Sequence, residues 1–361
     1  MEKLKFFKGK RILITGHSGF KGSWLAWILT QAGAEVIGYS LAPNTEPNLF
    51  EILKLEKKVK NYFEDIRNYK KLEEVVIKEK PEIIIHMAAQ PLVRESYDFP
   101  AETFSTNAMG TLNVLEAIRK TNSVKAAVIV TTDKVYEIKT KGAIFVENDE
   151  LGGHDPYSSS KVCCEIITKS YIRSYFNPIV KKEFPRVASA RAGNVIGGGD
   201  WSKDRLIPDI VRAIMEKNET VKIRNPTSVR PWQHVLEPLF GYLILAKRLY
   251  EGDNDSIGAW NFAPEEENFV EVQKIVEQAI KILGKGTYKI EKDSGPIKKE
   301  TEILKLDATK ARTHLGWKPN IDIDECLTWT FDLYEQHYNK KDVAKILTKQ
   351  ITGYLERCKY W

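Results

Sequence analysis

Residues 11–33 read RILITGHSGFKGSWLAWILTQAG. The stretch opens with the apolar run RILIT, which is typical of a buried strand. Three glycines follow, Gly16, Gly19 and Gly22, and two tryptophans behind them stand three positions apart, the spacing of a helix face that packs in a core. This sequence predicts a strand, a sharp glycine turn and a helix.

The same alternation of strands and helices continues to about residue 195. Short apolar runs predict strands, and the longer segments between them predict helices. The predicted strands are 11–15, 35–40, 60–65, 82–88, 126–132 and 186–193, and the predicted helices are 22–32, 68–79, 100–121 and 156–176. The fold class is therefore α/β, a Rossmann-type doubly wound parallel sheet whose ligands bind at the carboxyl ends of the strands.

Beyond residue 195 the alternation loosens into loops rich in Gly, Asp, Pro and Trp. We therefore divide the chain into a dinucleotide-binding domain, 1–195, and a smaller C-terminal α/β substrate lobe, 196–361. The segment HVLEPLFGYLILAKRLY predicts a long helix near 231–250 that is apolar enough to return to the sheet.

The glycine turn fits a dinucleotide. Glycines let the backbone turn sharply and approach a pyrophosphate, and the helix start offers unpaired N–H groups and a positive dipole end. The acidic residue that would bind an adenosine ribose at the end of the second strand is replaced by Ser40. Since no basic residue follows closely to bind a ribose phosphate, the sequence favours NAD over NADP.

Other candidate cofactor contacts lie at the ends of later strands. Asp65 ends the third predicted strand, and it either faces the adenine or caps the helix that starts near Asn68. Small residues after the fourth strand leave room for the cofactor. The remaining candidates for cofactor binding are Phe20, Ile66, Ala88 and Ala89.

A YxxxK pair, Tyr157 and Lys161, opens a helix that Asp155 and Pro156 introduce. Residues four apart share a helix face, so the ammonium lies near the phenol. Together with a cationic nicotinamide it would lower the pKa of the phenol from about 10 toward neutrality. Tyr157 is therefore a candidate catalytic base.

The apolar run that starts at residue 126 leads into VTTDKVY. Its end places Thr132, Asp133 and Lys134 side by side, three groups that can hydrogen-bond, give a proton and take one. Charged residues at the end of a buried strand need a functional reason.

With HMAAQP, TNAMGTLNVLEA and RAGNVIG, these motifs identify a family resemblance. The chain resembles the extended short-chain dehydrogenase/reductase family over nearly its whole length, and LDATKARTHLGWKP is similar to that family's nucleotide-sugar signature. The resemblance implies a Rossmann domain that holds NAD and a lobe that binds a nucleoside diphosphate sugar. Gly16, Gly19 and Gly22 match the cofactor motif, and Tyr157 and Lys161 match the catalytic pair.

Members that only epimerise carry no second acid/base pair after the strand-end Ser or Thr, and most 4,6-dehydratases carry Thr-Asp-Glu. Thr-Asp-Lys, with GHSGFKGSWL, AAQPLVRESY and RPWQHVLEPL, resembles the 4,6-dehydratases that act on CDP-glucose. The resemblance implies that Tyr157 takes the proton of the sugar 4-hydroxyl, that Thr132 hydrogen-bonds the same oxygen and that Lys161 holds the phenolate. It also implies that Asp133 protonates the departing 6-hydroxyl and that Lys134 removes the proton from C5. A 4,6-dehydratase for another nucleotide sugar, a 4-epimerase, a decarboxylase and a non-catalytic NAD sensor stay open as alternatives.

Three residues of the C-terminal half are candidates for binding the nucleotide sugar. Asn194 follows the sixth predicted strand, and Arg230 lies in SVRPWQHV; both match family residues that bind the sugar diphosphate. An arginine suits a diphosphate because its planar guanidinium donates two parallel hydrogen bonds. Arg205, at the start of a predicted helix, is the third. The alternative structural role is a simple turn for Asn194 and a surface ion pair for Arg230.

Composition narrows the partners. The net charge is +6, but Lys and Arg alternate with Asp and Glu, as in NYKKLEEVVIKEK, which does not predict a nucleic-acid surface. Short, interrupted apolar runs predict neither a signal peptide nor a membrane span, so we expect a cytoplasmic protein. The Cys and His spacing predicts no metal site. The family resemblance implies a homodimer or homotetramer that pairs through the helices containing Asn107 and Tyr157.

Overall fold

A computed structural model describes residues 2–140, 142–180, 182–291 and 304–359. The strands are β1 Arg11–Thr15, β2 Glu35–Ser40, β3 Lys60–Phe63, β4 Ile83–His86, β5 Ala126–Val130, β6 Ile144–Phe145, β7 Arg186–Ala192, β8 Asn194–Ile196, β9 Val221–Ile223, β10 Val229–His234, β11 Gly258–Phe262, β12 Phe269–Glu271, β13 Tyr288–Ile290 and β14 Lys305–Leu306. The α-helices are α1 Phe20–Gln31, α2 Leu49–Ile52, α3 Tyr69–Glu79, α4 Val93–Asp98, α5 Pro100–Phe104, α6 Gly110–Arg119, α7 Pro156–Ser174, α8 Leu206–Val211, α9 Leu236–Tyr250, α10 Val272–Leu283, α11 Thr309–Leu315, α12 Ile323–Tyr338 and α13 Val343–Arg357.

Seven parallel strands form the main sheet, in the spatial order β11-β7-β5-β4-β1-β2-β3. The predicted doubly wound α/β fold is confirmed, with all six predicted strands in this sheet. The chain order reverses at β1, which lies between β4 and β2, and in sheets of this kind ligands bind in the crevice at that reversal. The ends of β1 and β4 therefore define where a dinucleotide lies.

The central strands are buried on both faces, which is why they read as continuous apolar runs. In β4, Ile83 and Ile85 pack into the core on one face of the sheet, while Ile84 packs into a second core on the other. Successive side chains of a strand point to opposite faces, so one run of isoleucines supplies both cores. Burial of each such side chain contributes about 2 kcal/mol.

Two elements from the C-terminal half belong to this sheet layer. β11 pairs with β7 as an edge strand, and α9 packs on β4, β5 and β7. The prediction missed β11 because its sequence, GAWNF, contains no β-branched residue. The division of the chain at residue 195 stays a prediction, and these two elements cross it.

Smaller sheets form outside the main one. β8, β10 and β12 make a three-stranded sheet in which Trp232 of β10 lies opposite Asn194 of β8. The prediction that the chain beyond residue 195 loosens into loops was wrong at β10, Val229–His234. These short strands matter because they bring the segments around residues 194 and 230 together next to the ends of β5 and β7.

Candidate active site

The glycine loop connects β1 to α1 at the carboxyl edge of the sheet. Gly16 has a positive φ of 77°, and a Cβ there would lie 2.8 Å from the backbone nitrogen of Ala88. A Cβ at Gly22 would lie 2.0 Å from the carbonyl oxygen of Gly16. A Cβ at Gly19 would make only an ordinary 3.5 Å contact with the same oxygen. The fold itself therefore requires Gly16 and Gly22, whereas Gly19 leaves space in front of the helix.

The loop fits the pyrophosphate of a dinucleotide. α1 begins at Phe20, directly after Gly19, so the N–H groups of its first turn point out of the loop. On the β4 side, the Thr15 hydroxyl oxygen accepts hydrogen bonds from the N–H groups of Met87 and Ala88, both at 3.1 Å. The partly exposed Ala88, followed by the equally small Ala89, borders the crevice between β1 and β4.

A buried neutral network fills the place where an acidic residue would bind a ribose. The Ser40 hydroxyl lies 3.0 Å from His17 Nδ1 and donates to the Ser18 hydroxyl at 2.9 Å. His17 Nε2 lies 2.9 Å from Asn61 Oδ1, and burial lowers the pKa of His17 to about 4. No sequence pattern indicated His17, because its burial depends on contacts with the distant strands β2 and β3.

Asp65 and Ile66 follow β3. Arg67 chelates the Asp65 carboxylate through its side chain and backbone N–H, and this pairing lowers the pKa of Asp65. The helix cap is Asn68, whose side chain accepts from the Lys71 N–H, so the capping alternative for Asp65 was wrong. Ile66 packs on α6, where a Cβ at Gly110 would approach it to 2.8 Å.

Tyr157 and Lys161 occupy the first two turns of α7. The helix starts as predicted: Asp155 accepts from the Ser158 N–H at 2.9 Å, and the Ser158 hydroxyl accepts from the Asp155 N–H at 3.0 Å. The Lys161 ammonium donates to the carbonyl oxygen of Val130, the last residue of β5, at 3.2 Å. This bond joins the helix to the end of the strand.

The phenol of Tyr157 is not activated by the protein alone. Burial raises the pKa of Tyr157 to about 12, against a hydrogen bond with Thr132 and the charge of Arg205 that lower it. The Lys161 ammonium is directed at the Val130 carbonyl. The lowering of this pKa by Lys161 together with a bound cationic nicotinamide stays a prediction.

Thr132, Asp133 and Lys134 form a short turn at the end of β5. The Thr132 hydroxyl donates to Asp133 Oδ1 at 3.0 Å and accepts from the Lys134 N–H at 3.4 Å. Asp133 is only 3% exposed, and burial raises its pKa despite the opposing charges of Lys134 and Arg230. This carboxyl therefore keeps a proton more readily than an ordinary aspartate, as a general acid requires.

Lys21, which no sequence pattern singled out, also belongs to the site. Burial, followed by the charges of Arg205 and Lys161, lowers its pKa to about 7, and the negative charge of Asp133 opposes them. Its ammonium lies 5.8 Å from the ring of Tyr242 on α9. Lys21 occupies a variable position of the glycine motif, so only the three-dimensional neighbourhood identifies it as part of the site.

The predicted substrate residues lie around the same turn. Arg230 is close enough to Asp133 for its charge to lower the pKa of that carboxyl. Arg205 forms an ion pair with Asp200 at 3.0 Å, and its charge acts on Tyr157. Asn194 follows Gly193, where a Cβ would lie 2.9 Å from Asp133 Oδ2. The fold thus brings all three near the proposed acid and base.

Fold and site together define an extended short-chain dehydrogenase/reductase. The family model described as GDP-mannose 4,6 dehydratase matches residues 13–330, and the chain belongs to this family.

Individual relatives divide between dehydratases and epimerases. The CDP-glucose 4,6-dehydratase of Salmonella typhimurium is 45% identical over 353 residues, which cover 97% of each chain. A UDP-glucose 4-epimerase of Lacticaseibacillus casei is 27% identical and covers 90% of this chain and 97% of its own.

Solved structures share the fold. The dTDP-glucose 4,6-dehydratase of Bacillus anthracis in complex with NAD superimposes with a TM-score of 0.75 at 22% identity, over 93% of this chain and 100% of its own. The UDP-glucose 4-epimerase of Thermotoga maritima with UDP-glucose gives 0.76 at 24% identity, over 91% and 99%.

The substitution Gly193→Ala should reduce turnover of the nucleotide sugar. Its Cβ would lie 2.9 Å from Asp133 Oδ2 and 3.0 Å from Pro231 Cγ, so the carboxyl must move. We expect kcat to fall about 10- to 100-fold with little change in Tm. Gly353→Ala in α13, where the nearest contact is 3.8 Å, is the matched control. An unchanged kcat for Gly193→Ala would show that the position of Asp133 does not matter.

Proposed function

We propose that this protein is a CDP-glucose 4,6-dehydratase, which converts CDP-D-glucose to CDP-4-keto-6-deoxy-D-glucose and water. The observation that carries the proposal is a second acid/base pair, Asp133 and Lys134, next to the Tyr157 and Lys161 pair. An epimerase needs only the Tyr157 and Lys161 pair. The 45% identity to the Salmonella dehydratase, against 27% to an epimerase, supports the same conclusion.

NAD is the cofactor of this reaction. The residues that would hold it are Gly16, Gly19 and Gly22 in the loop, with Tyr157 and Lys161 on the nicotinamide side. Bound NAD would supply a reversible hydride carrier, an acceptor for the hydride of C4 and a donor to C6. The loop fits the pyrophosphate of NAD because α1 begins directly after Gly19, and the N–H groups at a helix start are available to bind an anion.

In the oxidation, the chain's task is to remove the proton of the 4-hydroxyl. Tyr157 takes that proton, and Thr132, which is hydrogen-bonded to the phenol, contacts the same sugar oxygen. Lys161 stabilises the phenolate from the β5 side. Since burial alone raises the pKa of Tyr157, this proton transfer depends on the positive charge of the bound cofactor.

In the elimination, the 4-ketone acidifies the C5 hydrogen. Lys134 removes this proton, and Asp133 protonates the departing 6-hydroxyl, so that water leaves and an enone forms. When hydride is added at C6, a proton is restored at C5, which gives the 4-keto-6-deoxy sugar. The raised pKa of Asp133 suits the acid. Lys134 lies beside it in the same turn, and a proton can be shared along the pair.

The lobe formed from residues 196–361, without β11 and α9, binds the nucleotide sugar. Arg205 and Arg230 neutralise its diphosphate, and Asn194 contacts it from β8. Lys21 adds a third cation close to Arg205. This positive surrounding favours an anionic substrate.

A homo-oligomer forms through the helices that flank the sheet. Met109, at the start of α6, is 49% exposed, and Ile166 on α7 is 56% exposed. Exposed apolar side chains on neighbouring helices favour pairing with a second copy. Sedimentation velocity measures the resulting dimer or tetramer directly.

The proposed place of action is the cytoplasm, where the product serves the synthesis of deoxy sugars for surface polysaccharides such as the O-antigen of lipopolysaccharide. Within the described ranges, no helix has the length and apolar character needed to cross a bilayer.

The reaction is tested by product mass. The purified protein is incubated, with and without added NAD, separately with CDP-, dTDP-, GDP- and UDP-glucose. We expect loss of one water from CDP-glucose alone. Loss of water from one of the other three nucleotide sugars would overturn the specificity for CDP-glucose. An isomer of unchanged mass would make the protein an epimerase. No turnover of any of the four substrates would overturn the proposal.

Lys134→Met should separate the two halves of the reaction. It removes the base for C5 but leaves Tyr157 and Thr132 in place, so the 4-keto sugar that has not lost water should accumulate together with NADH absorbance. Lys139→Met is the matched control, because this exposed lysine pairs with Glu150 outside the site. Normal water loss by Lys134→Met would remove Lys134 from the mechanism.

A further inference from the structure

A buried ion pair lies directly behind the proposed acid and base. Glu165 on α7 and Arg191 on β7 are 5% and 2% exposed. Glu165 Oε1 accepts from Arg191 Nε at 2.9 Å, and Glu165 Oε2 accepts from Arg191 Nη2 at 2.9 Å. Two further bonds come from the hydroxyls of Thr131, at 2.5 Å, and Ser189, at 2.7 Å. The carboxylate therefore has four hydrogen bonds.

The arginine extends this pair to Tyr136. Arg191 Nη1 donates to the Tyr136 hydroxyl oxygen at 2.7 Å and to the Glu147 carbonyl oxygen at 3.0 Å. The Tyr136 hydroxyl in turn donates to Asn261 Oδ1 on β11 at 2.7 Å. The guanidinium also lies over the Tyr136 ring, 4.9 Å from its centroid. The side chains of Glu165, Arg191, Tyr136 and Asn261 in this network are all buried and hydrogen-bonded.

Thr131 and Tyr136 flank the turn that carries Thr132, Asp133 and Lys134. The hydroxyl on its N-terminal side is bonded to Glu165, and the hydroxyl on its C-terminal side is bonded to Arg191. One ion pair therefore fixes both ends of a six-residue segment.

One member of the pair, Glu165, belongs to the helix that carries the oxidation residues. Glu165 lies one turn after Lys161, which lies one turn after Tyr157, so all three share one face of α7. Through Glu165 the helix is bonded to the end of β5, and through Arg191 both are bonded to β7. The turn and the helix face cannot move independently while these bonds persist.

A buried ion pair is an expensive way to stabilise a fold. Desolvation of two charges often cancels their attraction, and apolar side chains of the same volume serve as well. Here the pair is fully hydrogen-bonded, and although burial opposes ionisation, Arg191 keeps the pKa of Glu165 below its usual value. The directional hydrogen bonds of the pair fix the positions of the groups that it joins, and packed apolar side chains would fix those positions less sharply.

We propose that Glu165, Arg191 and Tyr136 are positioning residues, which hold the acid and base of the elimination in register with the tyrosine and lysine of the oxidation. This inference rests on the proposed dehydratase function and goes beyond it. None of the three contacts the substrate. Weakening one end of the turn displaces Thr132, Asp133 and Lys134 while leaving Tyr157 and Lys161 on their helix. The elimination loses the placement of both its acid and its base, whereas the oxidation loses only that of Thr132, so the elimination should slow more than the oxidation.

Tyr136→Phe is the decisive variant, because it removes only the hydroxyl that holds the C-terminal end of the turn and leaves the ion pair intact. Tyr354→Phe is the matched control. This buried tyrosine of α13 donates to Glu237 Oε2 at 2.6 Å. Thr131→Val releases the other end of the turn, and Thr131→Ser restores its hydroxyl. Tm, kcat, KM and the amount of 4-keto sugar that has not lost water are measured for each variant and for the unchanged protein.

We expect Tyr136→Phe and Thr131→Val to lower kcat by about 10-fold or more, with KM changed by less than about 3-fold. The 4-keto sugar should accumulate in both, Thr131→Ser should restore turnover, and Tyr354→Phe should lower Tm alone. If Tyr136→Phe and Thr131→Val change only Tm, as the control does, the network is merely structural and the inference is overturned. Failure of the unchanged protein to dehydrate CDP-glucose would instead overturn the proposed function.

Discussion

The register between the end of strand β5 and the first turns of helix α7 governs the chemistry of this protein. Lys161 donates to the carbonyl oxygen of Val130, and one turn later Glu165 accepts from Thr131. These bonds join a strand buried on both faces to a capped helix, and both are rigid elements. Tyr157 and Thr132 therefore meet in a hydrogen bond, and the turn that carries the second acid/base pair begins at the same point.

Burial, more than local charge, sets the protonation states at this point. It raises the pKa of Asp133 and of Tyr157, and it lowers the pKa of Lys21 to about 7. The raised pKa of Asp133 favours the protonated form that an acid needs. A protonated Tyr157 is not ready to act as a base, so its activation is coupled to the arrival of a positively charged cofactor. Burial thus favours the form of Asp133 that the reaction needs and disfavours the deprotonated form of Tyr157 that the reaction needs.

Local sequence patterns predicted those features that depend on neighbours in the chain. The glycine turn, the capped start of α7 and the buried β4 and β5 each follow from a few adjacent residues. Features that depend on distant segments were missed. Lys21 is identified only by its position near Arg205 and Tyr242, β11 only by pairing with β7, and the Glu165–Arg191 pair only by the packing of α7 on β7. The raised pKa of Asp133 has the same origin, because the burial that raises it arises from the whole fold and not from the adjacent residues.

Tracing one hydrogen atom tests the central claim, that a single site both oxidises C4 and eliminates water. The protein is given CDP-glucose that carries deuterium at C4, and the product is examined by NMR and mass. The account predicts a 4-keto-6-deoxy sugar that has lost one water and carries the deuterium at C6. Deuterium that is found again at C4, in a product of unchanged mass, would contradict it and assign the site to epimerisation.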